Sequence, residues 1–317
     1  MSLFLKVRQC GEVFLTRLGL VLIPYLPRSW ILALATALGH AAYACSSHLR
    51  KVGRVNLDLA FGQSLSRKDK RRILKTSFRT FALVMLDIFW FTHKTRERLA
   101  KYVSVDPAME GLVRKRPRIC VTAHLGNWEL LGQACMAHGV NLISVAAPLA
   151  NPVVDAIFIR FRKLMGQQVL PREGALRGVL NALRSGDNVG MLLDQNTKPS
   201  EGGVFVQFFG MPVPISAAGA SLALRTNAEI VFGFCVPRPD GGYHVRVPAR
   251  FTPALRAGED PKSAVARITQ DIAAVIETEI RNNPGFWLWT YKRWKYVGPG
   301  RDRSEYPFYA KILNPGP

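Results

Sequence analysis

The chain has 317 residues, 48% hydrophobic and 21% charged, which is enough apolar material for one large domain with an appendage and too much for a disordered chain. Lysine and arginine total 43 against 22 aspartates and glutamates, a formal charge of +21, so a polyanionic partner is expected: nucleic acid, an anionic membrane surface or a phosphorylated substrate. Five cysteines without a C-x-x-C pair argue against a disulfide framework or a zinc site, and fit reduced thiols facing the cytosol.

The N-terminal region, 1–50, leans toward a membrane. An apolar run at 18–27 is broken by Pro24 and Pro27, and 30–49, "WILALATALGHAAYACSSHL", has twenty residues without a charge. That length spans a bilayer core or lies deep in its interface; a buried hairpin of core helices is the other reading. Ten cations follow between 50 and 79, among them Arg54, Arg67, Arg71 and Lys75, as expected on the cytoplasmic side of an anionic bilayer. Ser66 then caps a helix over 66–91, in which Leu74, Phe78, Phe81, Met85 and Ile88 recur at helical spacing.

From about 100 to 297 strands alternate with helices. Strands are predicted at 117–123, 141–150, 167–171, 188–195, 229–236 and 243–247. Helices are predicted at 127–139, 151–165 (with Ile157, Phe161 and Leu164 inward), 174–186 and 261–284. This is the pattern of an α/β domain with a central, mostly parallel sheet flanked by helices, placed at 51–297, with a tail at 298–317. Ligands bind such sheets at the carboxyl ends of their strands. His124, Arg172 and Asp194–Gln195 each fall at or just beyond such an end.

In "VTAHLGNWELLG", 121–132, His124 is followed five residues later by Glu129. On a continuous helix residues five apart are about 140° out of phase, so the two side chains need a strand-to-helix turn to meet. Gly126 permits that turn and Asn127 can cap the helix. Glu129 could then fix one imidazole nitrogen and leave the other as a general base; a satisfied loop histidine is the competing reading. No protein nucleophile stands out, since there is no G-x-S-x-G and Cys120 reads as core filler. A His–Glu pair without one suits activation of a substrate alcohol toward an acyl group. No metal or cofactor is called for, and the cations do not form a nucleic-acid-binding module.

"HLGNWEL", 124–130, resembles the His-x4-Asp/Glu motif of the membrane-associated glycerolipid acyltransferases, and specifically the bacterial lipid A biosynthesis (late, lauroyl/myristoyl-type) acyltransferase family. "RVNLDLAFG" (54–62), "LPREGALRGVLNALRSGDNVGMLLDQN" (170–196), the "FFG" stretch within 202–231 and "NPGFWLWTYKRWK" (283–295) are similar to further family segments in the same order. The resemblance implies an enzyme of the bacterial inner membrane, its catalytic domain facing the cytoplasm, that moves a fatty acyl chain from acyl-acyl carrier protein to a hydroxyl of a phosphorylated, glucosamine-based lipid A precursor. In it His124 would be the base and Glu129 its orienting carboxylate. Arg172, Asp194, Arg160 and Asn127 would contact substrate or oxyanion. Tyr291 stands where the family usually has His, and Gln207 where it often has Pro, which leaves the acceptor open. A lysophospholipid or another glycolipid is the alternative acceptor, and a non-catalytic basic membrane-peripheral protein the alternative class. Trp287, Trp289 and Trp294 with Lys292, Arg293 and Lys295 fit an interfacial anchor or a packed aromatic core equally.

Overall fold

The computed structural model describes residues 3–171 and 173–313. It opens with five helices: α1 (Leu3–Leu22), α2 (Arg28–Cys45), α3 (Ser47–Phe61), α4 (Arg67–Trp90) and α5 (Thr95–Tyr102). Ser66 caps α4 by accepting from the Asp69 amide at 3.1 Å, as the sequence predicts. Arg28, Ile31, Ala35 and Gly39 are the buried face of α2, and a Cβ on Gly39 would stand 2.6 Å from the Arg79 Cα. That small-residue face lets α2 lie directly on α4. The expected apolar span of 30–49 is not one helix, because α2 ends at Cys45 and α3 begins at Ser47. Among the described residues no helix is long and apolar enough to cross a membrane. The spanning reading is thereby corrected in favour of packed helices, with Arg28 at the start of α2 buried in an ion pair with Asp87 of α4.

A short strand, β1 (Val103–Val105), leads into the alternating part: β2 (Arg118–Thr122), α6 (Trp128–Ala137), β3 (Leu142–Ala146), α7 (Pro152–Lys163), β4 (Gln168–Pro171), α8 (Ala175–Arg184) and β5 (Asn188–Leu192). After it come a hairpin, β6 (Gly203–Phe208) and β7 (Met211–Ser216), then α9 (Ala218–Thr226), β8 (Glu229–Phe232), β9 (Phe234–Pro237), β10 (Tyr243–Arg246), β11 (Arg250–Phe251) and α10 (Pro261–Asn282). The main sheet has the order β11-β8-β2-β5-β3-β4. All its pairings are parallel except β11 on β8.

Alternation along β2 divides the core. Ile119 and Val121 join Val189, Ile230, Leu183, Ala223 and Ile276 on the face covered by α8, α9 and α10. Cys120 packs with Leu131, Cys135, Leu142 and Val231 on the face covered by α6. The α/β class is thus as expected, with helices on both faces.

Three local readings need correction. The run 229–236 is two strands: at Gly233 the chain leaves the main sheet, and β9 pairs with β10 in a separate sheet. Leu164, expected inward, is 37% exposed, because the helix has ended one residue earlier. Residues 298–313 are not a free tail: the Tyr306 hydroxyl donates to the Pro212 carbonyl at 2.9 Å and Val297 pairs with Lys311.

Candidate active site

The turn after β2 is built around Gly126. Its φ is +67°, and a Cβ there would lie 2.1 Å from the Cys235 carbonyl oxygen, so only glycine fits. Backbone bonds pin it: Gly126 N–H to Phe286 O at 3.0 Å and Asn127 N–H to Cys235 O at 2.7 Å. Asn127 caps α6, its oxygen accepting from the Leu130 amide at 3.0 Å, while its amide donates to Asp87 at 3.2 Å. Buried and engaged at both ends, Asn127, expected to touch substrate, supports the turn and does not line the cleft.

His124 leaves this turn with its imidazole held by Asp194. Nδ1 lies 2.8 Å from Asp194 Oδ1. The other carboxylate oxygen accepts from the His124 backbone N–H at 2.9 Å and from Trp287 Nε1–H at 2.9 Å. The pairing follows from topology: β2 and β5 are parallel neighbours, so the residues just past Thr122 and Leu192 emerge side by side at one sheet edge. Glu129, expected to orient the imidazole, is instead clamped by Arg162, whose Nε and Nη2 donate to its two oxygens at 2.9 and 2.7 Å. Asp194, expected to contact substrate, has both oxygens occupied by His124 and Trp287.

Electrostatics follow this geometry. Burial works against the imidazolium, but the Asp194 charge and hydrogen bond, with the Glu129 charge behind them, outweigh it and hold His124 above its ordinary value of 6.5. Burial would push the Asp194 carboxyl up, but the charge and hydrogen bonds of His124, with the Trp287 bond, bring it below the usual range. Arg293, fully buried, donates to Asn196 at 2.9 Å and lies over the Phe208 ring. Burial pulls its pKa down to about 10, against the opposing charge of Asp194.

His124, Glu129 and Arg162 line one open cleft of about 460 Å³, with Trp128, Gln195 and Thr197. The Trp128 ring lies 4.9 Å from the imidazole, centroid to centroid, and Gln195 Nε2 is 3.3 Å from His124 Nε2. Behind the cleft, between the sheet and α6, is a second, smaller cavity of about 70 Å³ with mostly apolar walls, among them Met109, Leu112, Val140, Val245 and Val247. The two share Trp128, Ser144, Gln167, Met191 and Leu192, so an apolar chamber adjoins the cleft across a common wall.

The remaining expectations sort as follows. Arg160 is exposed; residues two apart on a helix differ by about 200°, and α7 turns Arg162 to the cleft and Arg160 away. Arg172 lies outside the described residues. Trp287, Trp289 and Trp294 are buried, which makes the aromatic cluster core rather than anchor. Sequence reasoning missed Arg162 and the bond from Trp287 to Asp194. The signal for Arg162 was the cationic end of α7; Trp287 was read only as an anchor or core aromatic, since nothing in its segment points to Asp194 as a partner for its indole N–H. Tyr291 takes part through its hydroxyl, which accepts from the Asn196 backbone N–H at 3.1 Å. Among the described residues no group of His, Cys, Asp and Glu is arranged to hold a metal.

Known proteins resemble this chain over most of its length. The family described as bacterial lipid A biosynthesis acyltransferase matches residues 2–296. The lipid A biosynthesis palmitoleoyltransferase of Escherichia coli K12 is 26% identical over 85% of this chain and 86% of its own. The phosphatidylinositol mannoside acyltransferase of Mycolicibacterium smegmatis is 25% identical over 70% and 72%. The crystal structure of a 1-acyl-sn-glycerophosphate acyltransferase from Thermotoga maritima covers 82% of this chain and 99% of its own, at 14% identity and a TM-score of 0.38.

Proposed function

This chain belongs to the bacterial lipid A biosynthesis acyltransferase family and is an acyltransferase acting on a lipid acceptor, and we propose that it moves a fatty acyl chain from acyl-acyl carrier protein to a hydroxyl of a glucosamine-based lipid A precursor. The observation that carries the chemistry is the His124–Asp194 pair, its imidazole facing a cleft that shares a wall with the apolar chamber. The donor chain lies in the chamber with its thioester carbonyl in the cleft. His124 Nε2 takes the proton of the acceptor hydroxyl, which enters where the Gln195 amide now stands. The alkoxide oxygen bonds to the thioester carbon as the C=O electrons move to oxygen. Asp194 holds Nδ1–H and stabilises the imidazolium. Arg162, with Nε and Nη2 taken by Glu129, presents Nη1 to the oxyanion or to an acceptor phosphate. Glu129 therefore acts by aiming Arg162. Collapse expels the carrier thiolate, which takes the proton from His124.

Membrane contact belongs to the same reading. Phe14, Leu15, Leu18, Val21 and Leu22 make an exposed apolar stripe on α1, continued by Tyr25 and Trp30. Beside α2 lies a groove lined by Arg50, Arg54, Arg67, Lys70, Arg71 and Lys75. An apolar stripe beside a cationic rim suits the interface of an anionic bilayer, as at the cytoplasmic face of the inner membrane. The phosphatidylinositol mannoside relatives support a second reading for the acceptor, another phosphorylated glycolipid. Mass spectrometry of lipids incubated with carrier-bound acyl donor and either wild type or His124→Ala is the test. Wild type should add one acyl mass and the variant none; equal transfer by both would remove His124 from the mechanism.

A further inference from the structure

Between β5 and the hairpin the chain runs Asp194–Gln195–Asn196, and the outer two side chains fix it in place. Asp194 holds His124 and Trp287. Asn196 is held from the other side. Its amide donates to the Tyr291 hydroxyl at 3.2 Å and to the Lys292 carbonyl at 2.9 Å, and its oxygen accepts from Arg293 at 2.9 Å. The backbone of Gln195 is thus tethered on both sides, while its own side chain is exposed in the cleft. What that side chain meets is the imidazole nitrogen that Asp194 leaves open.

The contact has a defined polarity. A carboxylate can only accept, so the neutral imidazole keeps its proton on Nδ1, toward Asp194, and offers a lone pair at Nε2. The Gln195 amide N–H donates to that lone pair, and the general base is occupied at rest. With Asp194 on one nitrogen, the Trp128 ring 4.9 Å away and the amide on the other nitrogen, the His124 side chain is left 17% exposed. At 3.3 Å the bond is longer than the usual distance of about 2.9–3.0 Å, so an incoming hydroxyl can replace it.

Water and a lipid hydroxyl offer Nε2 the same O–H and differ in what else they bring. A lipid acceptor is held by the rest of its body, and that binding can drive the amide off the base. A water molecule has no such remote contacts. The difference matters to an acyl thioester in the cleft, because an uncapped base would activate water against it. We infer that Gln195 caps His124 Nε2 against water and yields it to an acceptor anchored elsewhere on the protein, so that acyl transfer prevails over hydrolysis. This rests on the reading that His124 is the base, and goes beyond it by naming the residue that selects the nucleophile. In the reaction the cap suppresses, water gives a proton to Nε2 as its oxygen bonds to the thioester carbon. The C–S bond then breaks and the thiolate takes the proton from the imidazolium, leaving fatty acid and free thiol.

The test is hydrolysis of dodecanoyl-acyl carrier protein by the full-length protein in detergent, without acceptor. Transfer of the same donor to bacterial membrane lipids is followed in parallel by mass spectrometry. Wild type should transfer and hydrolyse little. Gln195→Ala should release fatty acid at least about fivefold faster, as expected for loss of one neutral hydrogen bond, and in added ethanol it should form an ethyl ester that wild type does not. Gln195→Asn, which keeps the amide but falls one methylene short, should behave likewise. Adding His124→Ala to Gln195→Ala should abolish the gain. Hydrolysis no faster in either Gln195 variant, or a gain that survives loss of His124, would overturn the cap and leave the transfer reading standing. Wild-type hydrolysis as fast as transfer would overturn it too. Transfer undiminished in His124→Ala alone would remove the base, and the inference with it.

Discussion

His124 is basic because of what surrounds it. Its Nδ1 faces a carboxylate whose remaining oxygen is saturated by a backbone N–H and an indole N–H, so Asp194 cannot turn elsewhere. Asp194→Asn should lower kcat by about 10²–10⁴-fold, since the wrong tautomer would be held. The sign of the pH effect is fixed by the raised pKa. His124 must be neutral to act, so activity is lost as pH falls through its elevated value. Removing the Asp194 charge should shift that acid limb to lower pH in a kcat–pH profile; an unmoved limb would show that another group titrates there. Arg162→Ala should cost about 10²–10³-fold in kcat, measured with saturating donor and acceptor, and would leave Glu129 facing the cleft without its cation.

The turn itself was legible in the sequence, because its requirements are local: a strand end, Gly126 and a capping Asn127. The partner of His124 was not. Glu129 lies five positions away and Asp194 seventy, and residue spacing carries no information about which parallel strand lies beside β2. The substitution of Arg162 for Arg160 turned on helical phase relative to a neighbour, which α7 alone does not reveal.

At the scale of elements, the helices that looked most like membrane segments are fastened to the turn that carries His124. Asp87 of α4 accepts from Arg28 at the start of α2, from Asn127 at the cap of α6 and from the Tyr243 hydroxyl of β10. Burial pushes the Asp87 carboxyl up, against the pull of Arg28 and its hydrogen-bond donors. The sequence shows α4 clearly through its capping serine and apolar period. It gives no sign that Asp87, in the middle of an apolar stretch, is a junction. Asp87→Ala strands the Arg28 charge and frees the Asn127 amide, and should destabilise the fold by about 3–5 kcal/mol, read as a lower urea midpoint with an unchanged slope. Arg28 and Asp87 replaced together by Met and Leu should recover much of that loss, since both unpaired charges are then gone.

At the scale of the molecule, the charge of +21 is joined by exposed apolar side chains: a cationic groove lies at the C-terminal end of α2, and Trp30, 65% exposed, at its N-terminal end. Arg54, Arg67 and Arg71 changed together to Gln should weaken binding to anionic vesicles at low salt, with a smaller effect at high salt, where screening has already removed the term. Phe14, Leu18 and Val21 changed to Ser should weaken it at every salt concentration. Sedimentation with vesicles of anionic and of zwitterionic lipid distinguishes the two contributions. Composition announced the first of these contributions. The second depends on which face of α1 remains uncovered, and that is decided by packing.

The indole of Trp287 reaches an aspartate ninety-three residues earlier in the chain, and the backbone N–H of Leu288 closes on the His124 carbonyl at 3.1 Å. During synthesis the ribosome delivers α1 to α4 first and this segment near the end. The surface suited to the bilayer is therefore complete long before the imidazole has its final setting. On the proposed membrane-binding reading, a nascent chain would reach a bilayer while still catalytically silent, and activity would wait for the last tenth of the polypeptide to thread back past strands already in place.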